Sequence, residues 1–175
     1  MDEIKKKRIV EYSIIALIIV IATLFLFKNI HFSVRDNQDS DKENQIYHAT
    51  LSINFDQIYA EKNYKRLKEE LKNDDVLPEN NCFADDETIS FSENDTVFDV
   101  LLCYCEEKNI SLDYQKPSEN IYKTAYIKGI GGLYEGDCTK KSGWVYTVNG
   151  DKPNVGVSDY VLEDSDNIVI YFTIY

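Results

Sequence analysis

The chain has 175 residues, 43% of them hydrophobic and 29% charged, with 19 Lys and Arg against 31 Asp and Glu and a net charge of −12. An acidic balance of that size repels phosphate backbones and anionic headgroups, so nucleic acid and anionic lipid are poor partners for its surface. With 7 Gly and 3 Pro the composition is that of an ordered chain, and the length allows one domain of ordinary size beyond a targeting segment.

The first feature in chain order is the basic cluster Lys5, Lys6, Lys7 and Arg8, followed by Tyr12 to Phe27 without a charged side chain. Those residues reach roughly 24 Å at about 1.5 Å each, so Ile9 and Val10 before them and Lys28 to Ile30 after them are needed to complete a span of about 30 Å. Residues 9–30 are therefore expected to form a transmembrane signal anchor. The positive-inside tendency makes residues 1–8 a cytoplasmic tail and places everything after residue 30 outside the cell membrane. A cleaved signal peptide is the rival reading, but no small-residue site such as Ala-x-Ala is visible, and no Leu-x-x-Cys lipoprotein box follows.

Residues 31–47 are expected to be a flexible polar stalk, because Ser33 to Gln45 is polar throughout and lacks periodicity. Asp36, Asp39 and Asp41 do not make a calcium loop, since the turn glycine and terminal Glu of such a loop are missing. Past residue 30 the chain keeps 14 Lys and Arg against 28 Asp and Glu, an acidic surface that keeps an extracellular domain soluble.

Residues 48–175 read as the extracellular domain. His48 to Phe55 alternates as a first strand, with Leu51, Ile53 and Phe55 on one face. Asp56 to Asn73 carries Ile58, Tyr59, Leu67 and Leu71 among charges, a weak helical pattern that Pro78 closes. Thr88 to Ser92 predicts a short strand. Thr96 with Asp99 is an N-terminal cap signal, and a helix follows from Val97 to about Lys108 with an apolar stripe of Val97, Phe98, Leu101, Leu102 and Cys105. The remainder predicts strands at Ser111 to Tyr114, Tyr122 to Ile127, Gly143 to Asn149, Val157 to Val161 and Ile168 to Ile174. One good helix on a mixed sheet makes the fold class α+β, in a β-grasp-like layout.

Cys82, Cys103, Cys105 and Cys138 allow three disulfide pairings in an oxidising compartment, and unpaired buried thiols acting as small hydrophobes are an equal alternative. Cys103 and Cys105, two apart on the helix, point to different sides, so no metal site is expected from them. His31 and His48 are the only histidines, and no Ser, Cys or carboxylate has the context of a nucleophile or base. The chain reads as a non-enzyme, with no catalytic or metal residues and no required cofactor. Gly129 to Gly132 is turn chemistry, not a phosphate loop.

The most informative stretch is Ser142 to Gly150 (SGWVYTVNG), in which Trp144, Tyr146 and Val148 alternate as a strand and Asn149-Gly150 supplies a turn that folds it back into a hairpin. With Pro153 to Gly156 and Ser158 to Leu162, and with Thr96 to Leu101, Ala125 to Gly129, Gly132 to Cys138 and Val161 to Asp166, this stretch resembles the transcobalamin-like C-terminal domain. That family is a small β-grasp-like unit of Gram-positive, DUF4430-type surface proteins and of the vitamin B12 carriers. The resemblance covers approximately Thr50 to Tyr175, and Trp144, Gly156, Asp159 and Tyr160 take the places of the aromatic strand, glycine loop and Asp-Tyr of the carriers. It departs from the family at Asn54 and Val157, where relatives often carry Cys, and at Ser165, where the family usually has Gly. In the carriers a helical domain forms the other half of the vitamin pocket, and this chain has no room for one.

The resemblance implies a surface-exposed binding module for cobalamin or another corrinoid, which could be handed to a transporter. A corrinoid needs flat side chains and a few amide or backbone groups, and Tyr134, Trp144, Tyr146, Asn154, Val155 and Gly156 offer that mixture. Filling the core face of the sheet is the commoner role for an aromatic such as Trp144 or Tyr146. The alternative is an interaction or scaffold domain that contacts another surface protein or the cell wall and takes no small ligand.

Overall fold

The computed structural model describes residues 45–175. The expected cytoplasmic tail and transmembrane anchor, and nearly all of the expected stalk, fall outside the described residues. Among the described residues no helix is long and apolar enough to cross a membrane.

The architecture is α+β. Strands β1 (Tyr47–Asn54), β2 (Cys82–Phe91), β6 (Gly143–Val148) and β7 (Asn167–Thr173) form a mixed sheet in the order β2-β1-β7-β6. The central pair β1–β7 is parallel and the two outer pairs are antiparallel. Strands β3 (Leu112–Gln115), β4 (Tyr126–Ile130) and β5 (Leu133–Tyr134) form a second, antiparallel sheet.

Period-two alternation explains the core. Ala49, Leu51 and Ile53 of β1, Ile168, Ile170 and Phe172 of β7, and Trp144, Tyr146 and Val148 of β6 are all buried, while the residues between them are half-buried or exposed. Register brings these side chains into rows: Leu51 pairs with Ile168, which pairs with Val148, and Phe172 pairs with Trp144. The Trp144 and Phe172 rings meet edge to face at 5.3 Å.

The main helix occupies Val97–Lys108. Thr96 caps it as expected: its hydroxyl accepts the Asp99 N–H at 3.3 Å, and the Asp99 carboxylate accepts the Thr96 N–H at 2.9 Å. Asn109 ends it in the left-handed conformation at φ 55°. The buried stripe is Val97, Val100, Leu101, Tyr104 and Cys105. Phe98 and Leu102, expected inside, are only half-buried, because the helix is rotated so that Tyr104 donates its hydroxyl to the Phe83 carbonyl at 3.2 Å.

Several expected elements are corrected. The weak helix over 56–73 is instead a set of short turns at Asp56–Tyr59, Glu61–Tyr64 and Glu69–Leu71. Of its apolar residues only Ile58 and Leu67 are buried, too far apart for a continuous stripe to hold a helix on the core. β2 runs to ten residues rather than the five at Thr88 to Ser92, since its exposed Asp85, Asp86 and Glu87 hide the alternation. β4 begins at Tyr126, not Tyr122: the Asn120 side chain accepts the Tyr122 N–H at 3.0 Å and donates to the Thr124 carbonyl at 2.8 Å, which holds 120–124 as a loop.

Val157 to Val161 is not a strand. Its carbonyls serve the helix instead, Val157 accepting the Phe98 N–H at 2.9 Å and Tyr160 the Val97 N–H at 3.1 Å. Only a single bridge links Val161 to Thr96. The Asn149-Gly150 turn is present, with φ of 54° and 84°. It does not lead into a returning strand, because the chain leaves after one bridge from Val148 to Asp151 and β7 takes the partner's place. All four cysteines are free: Cys103 is exposed, Cys105 and Cys138 are buried and Cys82 is half-buried. Burial pushes the Cys105 thiol up to about 12, which makes it a poor nucleophile.

Candidate binding groove

β6 lies at an edge of the four-stranded sheet, and beside that edge opens a groove of about 500 Å³. Its floor is Trp144 and Tyr146; one wall is Tyr126 and Ile127 of β4; the opposite wall is the loop Lys152 to Val157; Tyr122 and Thr124 close the end. The lining is mostly apolar, with Lys152 and Asp159 as the charged residues on it.

Both floor aromatics are 8% exposed and have their polar ends satisfied inside the domain. The Trp144 indole N–H donates to the Leu133 carbonyl at 2.9 Å, and the Tyr146 hydroxyl donates to the Val155 carbonyl at 2.8 Å. The second bond ties β6 to the groove loop, so the strand sets where the loop sits. Tyr146 also meets the Tyr160 ring edge to face at 6.4 Å. Burial, with Tyr160 and Asp159 nearby, pushes the Tyr146 phenol up to about 12.

The loop is anchored at its far end by close approach. A Cβ on Gly156 would lie 1.9 Å from the Thr124 hydroxyl oxygen, so only glycine fits there. Thr124 in turn shares a 2.9 Å hydrogen bond with Ser158, whose oxygen accepts the Ala125 N–H at 2.8 Å. The β4 wall is fixed by Tyr126, whose hydroxyl donates to the Glu135 carboxylate. That bond, more than burial, raises the Tyr126 phenol to about 12.

Of the residues singled out from the sequence, Trp144, Tyr146, Asn154, Val155 and Gly156 line the one groove. Tyr134 does not. Its ring packs over Gly129, within 2.7 Å of where a Cβ would stand, and its main-chain N–H donates to Asp137 at 2.8 Å. Asp159, singled out by the family resemblance, and Lys152, beside the expected loop, line the groove too, while sequence reasoning missed Tyr122, Thr124, Tyr126 and Ile127, which the fold brings in from a loop and β4. The signal for Tyr122 was its place beside Ile121 in an otherwise polar loop, apolar residues with no periodic partner; they are 76% and 86% exposed. Among the described residues no group of three or more His, Cys, Asp or Glu is placed to hold a metal ion.

Residues 94–173 match the model of the family described as "Domain of unknown function (DUF4430)". No curated protein matches the chain. Among solved structures, the fold is similar to that of haptocorrin in complex with Cbi, at 13% identity and a TM-score of 0.51, over 79% of this chain. The chain spans 27% of the haptocorrin chain, so the likeness is one of fold and of a part. A protein of Ruminococcus gnavus ATCC 29149, described as a candidate metal binding protein, aligns at 13% identity over 74% of this chain and 98% of its own, with a TM-score of 0.41 too low to carry an argument.

Proposed function

We propose, from the match of residues 94–173 to the DUF4430 family model and from the groove beside β6, that the chain is a membrane-anchored, surface-exposed binding module that uses this groove to hold a corrinoid such as cobalamin. In this reading residues 9–30 are the anchor, with the N-terminus in the cytoplasm, residues 31–47 are a stalk, and the β-grasp-like domain carries the groove. Delivery of the ligand to a transporter fits that placement. The module is non-enzymatic.

The observation that carries this reading is the composition of the groove. An aromatic floor, a tyrosine rim and a loop of amide and backbone groups meet around about 500 Å³, which suits a broad apolar ligand edged with amides. Lys152 and Asp159 nearly cancel, so the groove does not share the acidity of the chain as a whole.

A second reading, an interaction or scaffold domain with no small ligand, draws on the burial of Trp144 and Tyr146 and the internal use of their polar ends. Equilibrium dialysis of the full-length chain in detergent against cobalamin separates the two. The corrinoid reading expects saturable retention that drops by about tenfold in Asn154→Ala, the worth of one lost polar contact. No retention at ligand concentrations up to about 1 mM would leave the second reading standing.

A further inference from the structure

The two edges of the four-stranded sheet are treated differently. On β2 the exposed edge carries Asp85, Asp86 and Glu87, Asp86 is left-handed at φ 48°, and the pairing with β1 contains two register shifts. Charge and irregularity of this kind stop another strand from adding to an edge. β6 has neither. Gly143 to Val148 contains no charge and no proline, and it pairs with β7 without a break over six residues.

Register shows which groups β6 turns outward. The Asn149 N–H reaches the Asn167 carbonyl at 2.8 Å, so positions 149, 147 and 145 direct their main-chain groups to β7. Positions 142, 144, 146 and 148 direct theirs to the open side. At one end the Ser142 carbonyl accepts the Gly136 N–H at 3.0 Å, and at the other Val148 exchanges two bonds with Asp151 at 2.9 and 3.0 Å. Between these stops, Trp144 and Tyr146 have no main-chain hydrogen-bond partner among the described residues. Facing them across the groove, β4 is covered by β5 at Gly129 and Ile130 and by the Glu135 N–H at the Lys128 carbonyl, so Tyr126 and Ile127 are the β4 residues that border the open space.

We infer that this window on β6 accepts a short extended peptide segment of another protein, which adds a strand by pairing with the main-chain groups of Trp144 and Tyr146. Two residues of one register, about 7 Å apart along a strand, set the length at three to four residues of the partner. The groove receives the side chains on one face of that segment, and these are apolar, to match Tyr122, Tyr126, Ile127 and Val155. The segment is not acidic: the groove lining itself is balanced by Lys152 and Asp159, and the net charge of −12 on the chain as a whole disfavours the approach of Asp and Glu. This inference rests on the groove being the binding site of the module, and it names an occupant that competes with the flat ligand.

The test uses the full-length chain in detergent and a fluorescein-labelled heptapeptide of alternating Val and Lys, read by anisotropy, with residue-resolved hydrogen exchange on the same complex. A fully N-methylated peptide keeps the side chains and charge but donates no main-chain hydrogen bond. The expected result is saturable binding, at least about tenfold weaker for the methylated peptide, with slowed exchange at the Trp144 and Tyr146 amides. In the free protein those two amides exchange fast while Val145 and Thr147 are protected. No saturable binding, binding that methylation leaves unchanged, or unaltered exchange at both amides overturns the inference. Cobalamin added to the bound peptide separates this from the function proposed above. Retention of cobalamin without peptide binding sinks the strand-addition inference alone, and peptide binding that cobalamin never displaces sinks the corrinoid reading alone.

Discussion

Two aromatic regions of this domain look alike in the sequence and differ in what the fold does with them. In the first, Phe83, Phe55, Tyr59 and Tyr64 pack in succession at centroid distances of 5.2, 6.3 and 6.0 Å, and the Lys72 ammonium closes the row 5.0 Å over the Tyr64 ring. Each ring has a neighbour on it, and the row pins the irregular segment after β1 onto the core. In the second, Tyr122, Tyr126, Trp144 and Tyr146 line a groove, and Tyr122 is 76% exposed with no ring stacked on it. Tyr59 and Tyr64 are 38% and 37% exposed. Exposure of a tyrosine does not mark a site by itself. Tyr59 and Tyr64 also border a cavity, of about 460 Å³, so what distinguishes Tyr122 is a ring face that no other ring covers.

The strongest way to break this comparison is at Phe55, which is fully buried and supports the stack from inside. Phe55→Ala is expected to cost about 3–5 kcal/mol by leaving a cavity, measured as a shift of the urea midpoint with unchanged slope. Gly156→Ala comes next. Its methyl collides with Thr124, so the groove loop must shift, and a loss of about 1–3 kcal/mol accompanied by weaker ligand retention is expected from the same denaturation and dialysis experiments. Thr96→Ala removes the helix cap outside both regions and is expected to cost about 1 kcal/mol without changing retention. Tyr122→Ala sharpens the contrast most. It should leave stability within about 0.5 kcal/mol, as for any solvent-exposed side chain, and yet reduce ligand retention.

The groove region also has an alkaline signature. Tyr126 and Tyr146 have folded-state values of about 12, above the ordinary tyrosine value of 10.0. A raised value means that the folded state holds the proton more tightly. The stability this supplies is complete below pH 10 and is lost as pH rises from 10 towards 12. Denaturation midpoints should therefore fall steeply over that window, and the fall should be shallower in Tyr146→Phe.

The elements that were legible in the sequence are those whose cause is local. The helix cap at Thr96 and Asp99, the alternation of β1 and the turn at Asn149-Gly150 each depend on neighbours within a few residues, and the structure has all three. Val157 to Val161 was misread because its main chain bonds to a helix that begins sixty residues earlier, a partner that no alternation announces. The groove divides the same way. Trp144, Tyr146 and the 154–156 loop lie close in sequence, while Tyr122 and Tyr126 reach the same cavity only because β4 runs beside β6. Tyr134 shows the opposite failure. It lies in a glycine-rich turn that resembles a binding loop, and the vacant space over Gly129 takes its ring. Ser165 is left-handed at φ 70°, which accounts for the glycine usual there in the resembling family.

The most direct test is fluorescence of Trp144, the single tryptophan of the chain and part of the groove floor. The full-length protein would be titrated with cobalamin and with cobinamide. Saturable quenching that weakens in Asn154→Ala and Tyr122→Ala, with both variants unfolding at the wild-type midpoint, is the predicted result. Emission that falls only in proportion to the ligand's own absorbance, the same in wild type and variants, would contradict a corrinoid in the groove.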